Sequence, residues 1–269
     1  MGRNTLTVSP GSGPVLSSCC RATKGKETLV DILAEVYLRE QRISFAKMKQ
    51  LSYESPLPQS VREVLNSPGC VVIPEICRGG KLMRQGVLEG LKNTGIEFLA
   101  CRAKAAQEIM PVVQQISDIP VLNTDCIVDP YQIHEARARG AAAVVLEAKL
   151  LADARLIALL DRAETLGMEG IVECETTAAV DRALRFGAET IIVTEDILET
   201  IAVGMPSGIT IIARVEVHPE ISIFDLSACG ADAIMVRYND FGADGKTTRQ
   251  AIRRLHIMGK HPACPILNR

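Results

Sequence analysis

Two glutamates stand where an apolar chain has least reason to place a charge. Glu75 closes the run VVIPEI and Glu173 lies inside GIVECE. A carboxylate at the end of a buried strand is rare unless something uses it, and two of them across one site can act as a general acid/base pair. The alternative is a rim that tolerates two carboxylates paired with Arg or Lys. Cys77, Cys101 and Cys126 follow the first three apolar runs. One thiol beside Arg78, Arg102 or Lys104 could be an activated nucleophile, and three together could hold a soft metal. Against both, cysteine is among the most buried residue types, and no Cys-x-x-Cys or His-containing ligand pattern occurs, so no metal is expected. Arg78, Lys81, Arg214 and Arg237 suit an anion site built from side chains, or salt bridges to Glu195 and Glu216. His218 follows the seventh run and can reach the same place. His134, His256 and His261 read as surface or packing residues.

The elements that would position these groups repeat. Eight short apolar runs occur, at 70–76, 96–101, 119–124, 142–148, 170–175, 189–195, 209–215 and 232–238. Segments such as PYQIHEARARGA and DARLIALLDRAETLGM separate them, helical in period and too long for hairpins. Gly140-Ala141, Gly187-Ala188 and Gly230-Ala231 each follow a helix and precede a run, as a glycine C-cap does. Eight such units in about 200 residues predict a closed (β/α)8 barrel. An open doubly wound sheet would need a glycine-rich loop after its first strand, and none is present. In such barrels the chemistry lies at the C-terminal strand ends. Glu75 with Cys77, Thr124 with Cys126, and Glu173 with Glu175 should each share a side. Glu147, Lys149, Glu195 and Tyr238 end other runs.

Residues 1–27, rich in Ser, Gly, Thr and Pro, are expected to be a flexible tail, and 28–269 the barrel with its leading helices. Leu29, Ile32, Leu33, Val36 and Tyr37 predict one amphipathic helix, and 60–65 a second. Thirty basic and thirty-two acidic residues give a net charge of −2, which argues against a nucleic-acid partner. No apolar run reaches the roughly 18 residues of a membrane span. Nine scattered cysteines suit a reducing, cytoplasmic setting.

The stretch PVLNTDCIVDPYQIHEARARGAAAVVL resembles the third and fourth units of indole-3-glycerol phosphate synthase, which read Pro-Val-Leu-x-Lys-Asp-Phe-Ile-x-Asp-x-Tyr-Gln-Ile before an Ala-rich helix. VVIPEI is similar to that family's first strand, GIVECE to its fifth, and the first helix to its leading helix. The resemblance spans roughly 27–241. It implies the closure of an indole ring on a carboxyphenylamino-deoxyribulose phosphate, with loss of carbon dioxide and water.

The departures from the family pattern bear on the chemistry. Its general-acid Lys aligns with Thr124, whose hydroxyl cannot serve as a cationic acid. A second Lys aligns with Cys77, and the following Ser-Pro-Ser with Gly80-Lys81-Leu82. Asn-Asn-Arg of the sixth strand becomes Val193-Thr194-Glu195. Glu-Ser-Gly of the seventh becomes Arg214-Val215-Glu216, and the eighth-strand Gly becomes Arg237. A backbone phosphate nest needs the freedom of glycine, and Glu195 and Glu216 would repel a dianion. Glu75, Glu173 and Asp125 remain.

The expected catalytic set is therefore Glu75, Glu173, Asp125 and Cys77, with Arg78, Lys81, Thr124, Glu195, Arg214 and Arg237 lining the substrate. The expectation is a barrel that has lost the parent ring closure and acts as a lyase, dehydratase or cyclase on a small anionic metabolite, without a cofactor, in specialised metabolism. The alternatives are a non-catalytic metabolite- or partner-binding barrel, and a working synthase of tryptophan biosynthesis with Lys81 or Lys104 as replacement acid. DPYQI reads as a helix start, with Asp129 as N-cap and Pro130 in the first turn.

Overall fold

The computed structural model describes residues 28–77, 94–102, 110–113, 118–215, 222–237 and 245–265. Eight parallel strands close into a barrel in sequence order: β1 (Val71–Ile76), β2 (Leu99–Cys101), β3 (Val121–Asn123), β4 (Ala143–Glu147), β5 (Glu169–Cys174), β6 (Thr190–Thr194), β7 (Thr210–Val215) and β8 (Ala233–Arg237). β1 pairs with β8, with Glu75 opposite Arg237, which completes the circle. Seven of the eight apolar runs contain one of these strands whole, and the fifth, 170–175, overlaps β5, which starts one residue earlier at Glu169.

Pleating divides every strand between two apolar clusters. Val71, Ile73, Ala100, Leu122, Val145, Ile171, Ile192, Ile212 and Met235 fill the interior. Their neighbours, including Val72, Ile76, Cys101, Val144, Val172 and Cys174, face the helix layer. Small and large side chains alternate around the interior, Ala100 and Ala143 against Phe98 and Met235, as filling a closed barrel requires. Val61 and Leu65 of a short helix (α3, Val61–Leu65) pack into the same interior cluster and plug the N-terminal end of the barrel.

Three helices of the outer layer, α4 (Pro130–Ala138), α6 (Thr177–Arg185) and α8 (Ile223–Ala228), are followed by Gly140, Gly187 and Gly230 at φ 89°, 83° and 108°. That left-handed turn strains any residue with a Cβ, so the Gly-Ala echo is a chain-reversal signal. Between and beyond them lie α5 (Asp153–Thr165), α7 (Glu195–Ala202) and α9 (Gly245–Gly259).

The leading helices are α1 (Leu29–Arg42) and α2 (Phe45–Glu54). α1 buries only Ile32 and Val36; Leu29, Leu33 and Tyr37 are exposed, so its packed stripe is narrower than the sequence predicts. The sequence reading assigns no element to α2, which buries only Met48 and Ser52 and so shows little periodicity. Both helices dock on DPYQI. Asp129 and Gln132 form a capping box at the start of α4. The Tyr131 hydroxyl donates to the Ile43 carbonyl at 3.0 Å, and Arg39 pairs with Glu135 at 2.7 Å. His134 is fully buried with its Nδ1 2.7 Å from Ser52 Oγ. Burial, with Arg162 and Lys49 nearby, pushes its imidazole down to about 4, so it packs as a neutral ring. DPYQI is thus architecture. Tyr131→Phe should cost about 1 kcal/mol in denaturant unfolding, the net worth of a hydrogen bond, and leave the barrel mouth unchanged.

Candidate active site at the barrel mouth

Carried to the strand ends, the interior alternation brings eight residues to the mouth: Glu75, Arg102, Thr124, Glu147, Glu173, Thr194, Arg214 and Arg237. Their order around the ring separates the charges. Arg214, Arg237 and Arg102 lie at or just beyond β7, β8 and β2, flanking Glu75 on β1. Glu147 and Glu173 lie on the opposite side, on β4 and β5.

Arg214 ties the two sides together. Its Nη1 is 2.9 Å from Glu75 Oε2 and its Nε is 2.9 Å from Glu173 Oε1. The side chains of Glu75, Glu173 and Arg214 are 1%, 6% and 12% exposed, so this is a buried ionic triad, not a surface pair. Burial opposes ionisation of Glu75, but Arg214, then Arg102, Thr124 and Arg237, outweigh it and hold the carboxyl below its ordinary range. Glu75 is therefore a carboxylate at neutral pH. Thr124 Oγ1 lies beside it without a well-formed hydrogen bond, and Glu75 Oε1 likewise has no hydrogen-bond partner among the described residues. Two buried polar oxygens thus face the mouth with capacity to spare for a ligand.

Glu147 behaves in the opposite way. Burial, reinforced by Glu173, raises its carboxyl despite Lys149, Arg102 and Arg214. Lys149 is engaged mainly with Glu175 at the rim, in an ion pair that also touches Glu147 at 3.6 Å. A cavity of ≈ 290 Å³ opens beside these groups, lined by Glu147, Lys149, Glu173, Glu175, Thr176 and Arg182.

The structure brings Glu75, Glu173, Thr124, Arg214 and Arg237 of the expected set together. Cys77 is partly buried just past β1; burial and then Glu75 push its thiol up to about 11, which leaves little nucleophilic thiolate at neutral pH. Cys101 turns into the helix layer and Cys126 packs against the same outer cluster, so the three thiols do not share one face. Asp125 has the opposite parity to Thr124; its backbone N–H donates to Asn123 Oδ1 at 2.9 Å. Glu195 is exposed in the first turn of α7, a favourable place for an acid near a helix N-terminus. Arg78, Lys81, Lys104, Glu216, His218 and Tyr238 lie outside the described residues. Glu147, a strand-end candidate from sequence, and Arg102, a possible thiol partner there, were left out of the expected site set. A carboxylate inside the apolar run AAVVLEA was the available signal for Glu147.

A closed parallel barrel whose C-terminal mouth carries buried, mutually paired charges defines a (β/α)8-barrel protein with an enzyme-type mouth. The family model for indole-3-glycerol phosphate synthase matches residues 103–244. Indole-3-glycerol phosphate synthase of Saccharopolyspora erythraea is 33% identical over 266 residues, covering 89% of this chain and 97% of the relative. That of Mycobacterium avium is 33% identical over 267 residues, covering 91% and 97%. The chain belongs to the indole-3-glycerol phosphate synthase family. Among solved structures, N-acetylmannosamine-6-phosphate 2-epimerase from Clostridium perfringens superposes with a TM-score of 0.56 at 10% identity, over 67% of this chain and 92% of that one, a likeness of fold alone. No helix among the described residues is long and apolar enough to cross a membrane.

Proposed function

We propose that this family member has lost the parent ring closure and uses its mouth carboxylates for proton transfer on a different small anionic metabolite, as a lyase, dehydratase or cyclase. The observation that carries the reading is the Arg214 bridge between Glu75 and Glu173, in a mouth where Thr124 stands at the position of the family's acid lysine. Arginine stays protonated at all working pH values, so Arg102 and Arg237 can bind and orient an anion but cannot donate a proton to it, while Arg214 is engaged by Glu75 and Glu173. Glu173, its orientation fixed by Arg214, is left as the candidate base. The anionic part of a substrate fits the arginine side of the ring, which sets its reacting carbon toward Glu173.

The second reading, a working synthase, is favoured by the 33% identity that extends over nine-tenths of the chain. Thermal unfolding with and without the carboxyphenylamino-deoxyribulose phosphate separates the two. A ligand at 100 times its Kd adds about 2.7 kcal/mol to folded-state stability. The first reading expects no upward shift in Tm at millimolar ligand; a clear shift would favour the second.

A further inference from the structure

Glu147 and Glu173 are directly paired in the β4–β5 register, on adjacent strands, and both point into the mouth. Glu147 is 4% and Glu173 6% exposed. Glu147 is among the residues lining the cavity at the ends of β4 and β5, and its Oε2 is buried with no hydrogen-bond partner among the described residues. Two carboxylates held side by side in a low-dielectric site do not both ionise near neutrality. Which one keeps the proton follows from their partners. Glu173 has the Arg214 guanidinium at 2.9 Å, whereas among the described residues the ion-pair partner of Glu147 is Lys149 at 3.6 Å, a cation already committed to Glu175.

We propose that Glu147 and Glu173 form a carboxylic acid–carboxylate pair, in which Glu147 carries the proton and presents it to an oxygen acceptor of a small molecule in the β4–β5 cavity. The proposal rests on the proton-transfer reading above and names the acid that reading lacks. The step balances without a co-reactant. In loss of water from a substrate with a hydroxyl β to an acidic C–H bond, Glu173 takes the carbon-bound proton and those electrons form the C=C bond. The C–O bond breaks with its pair on oxygen, and Glu147 gives that oxygen the proton that makes it water. Glu147 ends as carboxylate and Glu173 as acid, and one proton passing from Glu173 to Glu147 restores the start. The charged groups facing Glu147 are Glu173 on β5, Glu175 just after β5, Lys149 after β4, Arg102 after β2, Arg214 on β7 and, across the cavity, Arg182 on α6.

The test is a carboxyl ¹³C NMR titration of the full chain labelled at glutamate Cδ. The expected result is one resonance titrating above the ordinary carboxylate range. It should be absent in Glu147→Gln, move down in Glu173→Gln where the neighbouring charge is gone, and move further up in Lys149→Met. A titration with no carboxyl above the ordinary range, or one whose high-titrating signal survives Glu147→Gln, overturns the pair. No substrate is used, so the outcomes are separable. Indole formation by the wild type would sink the functional reading and leave the pair standing, and an ordinary titration would do the reverse.

Discussion

Replacing Arg214 with leucine is expected to destabilise the protein by about 3–5 kcal/mol, the usual cost of removing one partner from a buried ion pair. The loss is large because one side chain neutralises two carboxylates, Glu75 and Glu173, neither of which reaches water freely. For a chain of this size that corresponds to a fall in Tm of about 6–20 °C, at roughly 2–4 °C per kcal/mol. The pH dependence should change with it. In the wild type Glu75 lies below its ordinary value, so its contribution is full above pH about 4.3 and is lost as pH falls through the folded value. Without Arg214, burial, already the largest single influence, is opposed only by Arg102, Thr124 and Arg237, and the Glu75 carboxyl is expected to rise. Its contribution is then present in acid and lost as pH increases, so the deficit should be greatest at neutral pH and shrink toward pH 4. The triple replacement Glu75→Gln, Glu173→Gln, Arg214→Leu should recover most of the loss, since the three charges of the triad are removed together. Denaturant unfolding across pH checks all three statements. An Arg214→Leu protein within 1 kcal/mol of wild type would mean that the triad is not the electrostatic centre of the mouth.

The barrel was legible because strand and helix leave different periods, and because Gly140, Gly187 and Gly230 mark where helices turn back into the sheet. Parity along single strands pairs Glu75 with Cys77 and Glu173 with Glu175, but it also pairs Thr124 with Cys126, and past the end of β3 that fails, because Cys126 packs against the outer cluster. What could not be read was neighbour relations across strands. That Arg214 on β7 would meet Glu75 on β1 and Glu173 on β5 depends on side-chain reach across a closed ring, and the sequence reading assigned Arg214 to the substrate instead. The Glu147–Glu173 pairing depends on the β4–β5 register. One residue of slip would put Glu147 in the helix layer. Cys101 shows the opposite failure: it ends a strand, but its parity sends it outward. The helix α2 stayed hidden because its close packing on α4 uses Phe45, Met48 and the buried Ser52–His134 bond, and not a continuous apolar stripe.

The second large effect concerns the parent reaction itself. A positioned general acid is worth about 10²–10⁴ in rate. On the resemblance of the third unit to the family pattern, the position of that acid falls at Thr124, and the seventh- and eighth-strand cradle positions fall at Arg214, which is engaged by the carboxylates, and Arg237. The proposed loss of the acid predicts ring closure at least about 10²-fold slower than in the mycobacterial relative. The measurement is a single-turnover reaction, protein in excess over the carboxyphenylamino-deoxyribulose phosphate, followed by indole fluorescence beside the Mycobacterium avium enzyme. The account predicts no indole above the buffer control within the time the relative needs to finish. Indole appearing at a comparable rate would contradict it, and would mean that this mouth performs the family reaction with a different acid.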